Sequence, residues 1–306
     1  MTFQDVEKAR QVYAAKIKNQ IIVTVIIVAL LLIPIIITSR NTMTTIFGIV
    51  LLGNFAIVIS VIIARVFNHK ARQAYHDAYK AYFVEQSLKT TFTDLNYSHE
   101  AILPATILES TGVITTGDRY SSNDYISGKY RDIAFSQADV HIEEAETDSE
   151  GHVEYDTLFR GRFMIFEFPK QFEFKLAIIG NNFSAYTRPT SRGNNARKME
   201  KISTESGEFN SQFRTLAEDG FEAYYILDPA FMVKLMDIDK NHNGKDIFCF
   251  MDNQLIIGIN DGKDSLEPPQ PLKPIEESNE KAKITNDIKM ITDLVEQLSL
   301  KHKIFK

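Results

Sequence analysis

Two uncharged hydrophobic runs, Ile21 to Thr38 and Ile46 to Ala64, are separated only by the polar stretch Ser39-Arg40-Asn41-Thr42-Met43-Thr44-Thr45. Each comes close to the roughly 18 to 20 apolar residues that a helix needs to cross about 30 Å of hydrocarbon. Two buried core helices are the alternative, but two such runs back to back, rich in Ile, Val and Leu, favour a transmembrane hairpin. Met1 to Gln20 is a short amphiphilic lead-in with no small-residue cleavage site, so the first span is expected to stay in the mature protein. Pro34 removes one helical hydrogen bond, which membrane helices tolerate as a kink when neighbours satisfy the freed carbonyl.

Charge is split along the chain. Through Arg72 there are eight basic residues against Asp5 and Glu7, a balance of +6, which leaves −12 for the rest of a chain whose total is −6. Basic residues flank both outer ends of the hairpin while its loop has only Arg40, so the positive-inside rule places both termini in the cytoplasm. An acidic remainder is repelled by nucleic-acid phosphates and by anionic headgroups, which points to protein or cation partners. Cys249 is the only cysteine, which excludes an intrachain disulfide and a thiolate metal cluster.

After the spans, Ala71, Ala74, Tyr75, Ala78, Tyr79 and Tyr82 recur at helical spacing, so the second span is expected to continue as a juxtamembrane helix over 65–90. Its tyrosine stripe is either core packing, the commoner outcome, or a partner platform. Ile102 to Ser110 reads as a short helix. Tyr130 to Glu144 and Val153 to Phe168 are rich in β-branched and aromatic residues and read as paired strands joined by a polar tip at Ala145 to Gly151. The second ends at Pro169 and reads as a central strand, in which Gly161 marks a bulge or a close backbone approach. A short helix from Glu208, a turn at Asp219-Gly220 and a helix opened by Asp228-Pro229 follow. Asp246 to Met251 and Gln254 to Asn260 then read as a hairpin joined by Asp252-Asn253.

Gly128-Lys129-Tyr130, Phe159-Arg160-Gly161-Arg162-Phe163, Met199-Glu200 with Glu208-Phe209, Tyr225-Ile226-Leu227-Asp228-Pro229-Ala230-Phe231-Met232 and Phe250-Met251-Asp252-Asn253 occur in an order that resembles the bacterial domain-of-unknown-function family 3137. The resemblance implies an amino-terminal pair of membrane spans followed by a cytoplasmic α+β domain. It carries no activity and no catalytic residues. Leu266-Glu267-Pro268 departs from it at the first position, where phenylalanine is expected.

The expected fold class is therefore α+β: an N-terminal two-helix transmembrane hairpin followed by a soluble domain with a mainly antiparallel sheet and packing helices. The expected organisation is a lead-in over 1–20, the hairpin over 21–64, the juxtamembrane helix, a cytoplasmic domain over 91–266, a Pro-rich linker over 267–279 and a C-terminal helix over 280–306. In that last helix Ile284, Ile288, Ile291, Val295 and Leu298 form a seam of barely two heptads, so docking on its own domain is favoured over a coiled coil.

Chemistry leaves little trace. Asp239-Lys240-Asn241-His242-Asn243-Gly244 imitates the start of an EF-hand loop, but the twelfth position is Phe250 where a bidentate Glu is needed, and Asp246 stands at the usual apolar eighth position. A polar turn is the better reading. His141 and His152, near Glu143, Glu144 and Glu154, form the other metal candidate if the hairpin brings them face to face; an exposed acidic tip is the alternative. Cys249, between Phe248 and Phe250, reads as a buried strand residue, and neither it nor Ser136 has an identifiable base. Arg188, Arg192, Arg197 and Lys198 make the loop Asn181 to Arg197 the most basic part of the soluble region. We therefore expect no catalytic, cofactor or metal-ligating residues. The expected partners are the lipid bilayer and an unidentified protein, not nucleic acid. The expected role is a membrane-tethered interaction or regulatory module; the alternative is a membrane-bound enzyme or ligand sensor with its site under the 181–197 loop.

Overall fold

The computed structural model describes residues 1–38, 42–188, 198–264 and 266–297. The chain divides into two compact units, Met1–Gln86 with Glu267–Ala282, and Ser87–Leu266 with Lys283–Lys306.

The helical unit is built on α1 (Phe3–Thr38) and α2 (Thr42–Tyr79), continued by a π-helical turn, Lys80–Val84, and by the start of α3 (Glu85–Thr91). α1 and α2 run antiparallel. Asn68 donates to Gln20 Oε1 at 2.7 Å, Gln20 donates to the Ser60 carbonyl at 2.6 Å, and the Thr24 and Ser60 hydroxyls meet. Between otherwise apolar helices such bonds fix the pairing, since each group would else be left unsatisfied. Among the described residues one stretch, Phe3–Leu30, is long and apolar enough to cross a membrane. On that criterion the expected pair of spans becomes one; several residues of the second run, Ile46 to Ala64 within α2, lie outside those whose side chains are described.

The tyrosine stripe is core. Tyr75 and Tyr79 are fully buried, and their hydroxyls donate to the Pro269 carbonyl at 3.0 Å and to Glu280 at 2.6 Å. The Pro-rich segment thus lies against the helices as a strap. The Pro271 carbonyl accepts from Arg10, and Lys80 Nζ lies 2.9 Å from Glu267.

The sheet unit contains β1 (Thr93–Ser98), α4 (Ala105–Glu109), β2 (Arg119–Tyr130), β3 (Ile133–Thr147), β4 (Val153–Gly180), β5 (Glu200–Ile202), α5 (Gly207–Gln212), β6 (Phe213–Ala217), α6 (Gly220–Ile226), α7 (Pro229–Lys240), β7 (Asp246–Ile259) and most of α8 (Glu277–Gln297). The strands form one antiparallel sheet in the order β1-β2-β3-β4-β6-β5, with β7 also on β4. β4 is central because it is buried on both faces from Gly161 to Phe166, which suits an uninterrupted apolar run better than alternation. Gly161 is a close approach: a Cβ there would collide with the Ile259 carbonyl, so the β4–β7 pairing demands glycine.

Phe159, stacked on Phe163 at 4.4 Å, joins Val140, Ile142, Ile179, Ile247 and Ile256 in the main core. α8 buries Ile284, Ile288, Ile291, Leu294 and Val295, and Arg131 and Arg162 bond its Glu296 and Asp287. The seam therefore docks on its own domain; Leu298 lies outside the described residues.

Three local expectations are corrected. β4 does not end at Pro169 but continues to Gly180, with a register break between Glu167 and Phe172 that accommodates a proline without an N–H. Asp252-Asn253 is not a hairpin turn: both halves of β7 pair with β4, and Asp252, at φ 51°, sits opposite Phe172 in the same irregularity. Asp219-Gly220 is not a turn between elements but the start of α6, where the Asp219 carboxylate accepts from the N–H groups of Phe221 and Glu222. The Asp228-Pro229 start of α7 is as expected, with Asp228 accepting from the Phe231 N–H at 2.8 Å.

Candidate functional site

The turn between α7 and β7 gathers the titratable groups. α7 ends at Lys240, and Asn243 and Gly244 take positive φ (58° and 73°), which brings the chain back to the start of β7 within five residues. The reversal sets Asp239 beside Asp246, both fully buried, and places His242 against them. His242 Nδ1 lies 2.7 Å from Asp246 Oδ2. Asp239 accepts from the Asp246 backbone N–H at 3.2 Å and from Gln212 Nε2 at 2.9 Å. Asp246 Oδ1 is buried and has no hydrogen-bond partner among the described residues.

Burial holds the Asp246 carboxyl up at about 6, against the pull of His242. Burial opposes charging of His242 too, but Asp246 first, then Asp261 and Asp239, outweigh it and raise its affinity for a proton. Asp239 is also raised, by burial. Both groups of the pair thus keep their protons to higher pH than they would in water.

Two cavities flank this turn. One, of about 370 Å³, is lined by His242, Asn243, Lys245, Lys263, Arg162 and Asp287, among others. The other, of about 620 Å³, is open and lies at Asn181, Asn182, Gln212, Met236 and Asp239. Beside the first, Arg162, 2 % exposed, donates to the Asp287 carbonyl at 2.9 Å and lies opposite Asp139 in the β3–β4 register. Oxygens of Asp139, Asp124 and Asp264 lie within 4.8 Å of one another. Asp124 accepts from Tyr97 at 2.7 Å.

The two histidines weighed as metal candidates from sequence are not brought together. His141 pairs with Arg160 in mid-sheet and meets Thr157 Oγ1 at 3.1 Å, whereas His152 sits at the hairpin tip, 3.1 Å from Asp148. The register puts Thr147, not His141, opposite Val153, so the histidines are parted along the strand. The Asp239 to Gly244 segment is the polar turn expected, and Phe250, fully buried, takes no part in it. Cys249 is buried opposite Ala177, and burial pushes its thiol up, away from reactivity. Ser136 lies in β3 opposite Ile165. Arg188 and Lys198 are exposed; Arg192 and Arg197 lie outside the described residues, as do positions 189–197 of the loop. The His242–Asp246 pair was not anticipated within that polar turn, although its i,i+4 spacing was the available signal.

A helical unit joined to an antiparallel sheet unit with a polar α7–β7 turn defines a two-unit α+β protein. Residues 157–300 match the family model described as "Protein of unknown function (DUF3137)", the family expected from the motifs. No curated protein matches the chain. Among solved structures it is similar to the mycobacterial trehalose monomycolate transport factor A, TtfA, at 10% identity over 72% of this chain and 93% of that one. The TM-score of that match is 0.37.

Proposed function

We propose that this protein is a membrane-anchored binding module whose α1 and α2 cross the bilayer as a hairpin, with both termini and the sheet unit in the cytoplasm. The observation that carries the reading is apolar exposure: Ile22, Val25, Leu30, Val50, Phe55, Val58 and Ile62 are each more than half exposed. In water each such side chain forgoes about 1.5–3 kcal/mol of burial, whereas hydrocarbon supplies it. The inward polar bonds of Gln20, Asn68 and Ser60 support the same arrangement. In a Cys249→Ser background, cysteine placed at Thr42 should react with an impermeant maleimide on intact cells and cysteine at Ser149 should not. The reverse pattern, or release of the protein by alkaline carbonate, would end the reading.

The sheet unit's role is to bind a protein partner. Phe221, Tyr224 and Tyr225 on α6 and Val233 on α7 are 69, 49, 64 and 51 % exposed, and clustered exposed aromatics of this kind mark interaction surfaces. A photo-crosslinking residue at Tyr225 in cells should capture one discrete partner, while one at Lys201 serves as the control. The cavity at Asn181, Asn182 and Asp239 favours a second reading, a membrane-bound enzyme or ligand sensor at the foot of the 181–197 loop. Capture of nothing at Tyr225 together with a small molecule co-purifying at that cavity would move the assignment to it.

A further inference from the structure

We propose that the cavity of about 370 Å³ beside the α7–β7 turn is a binding site for a small oxyanion, a phosphate or sulfate group, taken up together with a proton. The donors are on the page. Lys245 and Lys263 line the cavity with exposed ammonium groups, and His242 lines it with its ring. Arg162 adds positive charge at the floor, although its terminal nitrogens are engaged by Asp287. Facing these cations are Asp261, 3.8 Å from Lys263, and Asp287. With the His242–Asp246 pair doubly protonated and so neutral, the charged groups lining the cavity are Lys245, Lys263 and Arg162 against Asp261 and Asp287, a net positive balance in a part of the chain that is otherwise strongly acidic. Such a reversal of local charge is what concentrates an anion.

Proton uptake follows from the geometry of the pair. His242 Nδ1 is committed to Asp246 Oδ2, which leaves Nε2 as the ring's remaining nitrogen. When the pair holds one proton, Nδ1–H faces the carboxylate and Nε2 is a bare acceptor that repels an anion. When a second proton is added, Nε2 carries a hydrogen whether the other is on Nδ1 or on Asp246. The ring, which lines the cavity, then carries a donor on Nε2, and the pair loses its net negative charge. Asp246, Asp261, from the segment after β7, and Asp239, from α7, favour that second proton, whereas Lys245, Lys263 and Arg162 line the same cavity as like charges that an arriving anion would offset. Anion and proton therefore assist each other, and by linkage each must raise the affinity for the other.

The test uses the full chain in detergent and sulfate as probe, because sulfate does not change charge over the range examined. Titration calorimetry at about pH 5.5 and at about pH 8 should show saturable binding of one sulfate, about tenfold or more tighter at the lower pH, with protons taken up on binding in the lower range. His242→Gln should abolish the pH dependence, and Lys263→Met should weaken binding about tenfold at both pH values without altering thermal stability, since Lys263 is exposed. Inorganic phosphate should compete with sulfate. If a short-chain phosphatidic acid below its micelle concentration competes as well, the oxyanion can be a lipid headgroup; if it does not, the site takes a soluble ion. Absence of saturable heat, or affinity that is equal in wild type and Lys263→Met, would overturn the proposal. So would a pH dependence that survives in His242→Gln.

Discussion

The two units use the same apolar residue types in opposite ways. In the helical unit Val25, Leu30 and Phe55 point outward, whereas in the sheet unit Phe159, Phe163, Ile178 and Phe250 are sealed within the sheet. Their buried polar groups differ in kind as well: the helical unit keeps the uncharged Gln20, Asn68 and Ser60 between its helices, whereas the sheet unit buries charged groups, Asp139, Arg162, Asp239 and Asp246 among them. The difference teaches that hydrophobic content alone does not say where a core lies. Uninterrupted apolar runs of about 18 residues ask for an apolar surrounding, and short ones ask for a layer on each face.

The comparison breaks most sharply by truncation. Phe163→Ala, at the stacked pair in the sheet core, should cost about 3–5 kcal/mol, whereas Phe55→Ala, 62 % exposed, should change unfolding in detergent by less than about 1 kcal/mol. Thermal unfolding of the full chain followed by near-ultraviolet circular dichroism reads both. Equal effects would mean that α2 is packed against protein at Phe55.

A smaller effect separates the strap. Lys80, nearly buried, holds Glu267 at 2.9 Å, and Lys80→Met should cost about 1–2 kcal/mol, discounted from the value for a sealed pair because Glu267 is one-third exposed. A double-mutant cycle with Glu267→Gln should recover much of that loss. If the losses are simply additive, the contact has no coupling energy.

The units should also differ in the sign of their pH response. Burial alone would raise Glu267, but Lys80 outweighs it and holds the carboxyl below its usual range. Its contribution is present above the unfolded carboxylate value and is lost as pH falls. Asp246 and His242 are both raised, so their contribution is present at low pH. It is lost as pH rises from about 4, the unfolded value of Asp, through about 6 and on past the ordinary His range. Stability measured by denaturant between about pH 4 and about pH 8 should slope downward for the sheet unit, and Asp246→Asn should flatten that slope. A slope unchanged in the variant would place the titration elsewhere.

The smallest expected effect is at a helix cap. Asp228→Ala removes the acceptor for the Phe231 N–H and should cost about 1 kcal/mol, local to the sheet unit and without effect on labelling at Thr42.

Much of this architecture was legible in residues that act locally. The β3–β4 hairpin, the Asp228-Pro229 helix start, the buried Cys249 and the glycine at Gly161 each follow from a pattern within a few positions. β1, β5 and β6 did not: Thr93–Ser98, Glu200–Ile202 and Phe213–Ala217 are short and polar or follow a helix directly, and are strands because a neighbouring edge accepts them. Asp252-Asn253 misled for a related reason, since its turn chemistry serves a kink inside a long strand. The candidate site was hidden more deeply, because Arg162, His242 and Asp287 come from β4, the α7–β7 turn and α8, which only the fold brings to one cavity.

The pairing of β4 with β7 also imposes an order on the protein's birth. Arg162 faces Ile259, and Gly161 is shaped for a carbonyl that a ribosome adding roughly 5–20 residues per second delivers only several seconds later. During that interval the newly made β4 has β3 on one side and a bare edge on the other, a template for any extended chain nearby. Slowing translation between positions 180 and 246 should therefore increase aggregation of nascent chains, and a holdase chaperone supplied in that window should relieve it.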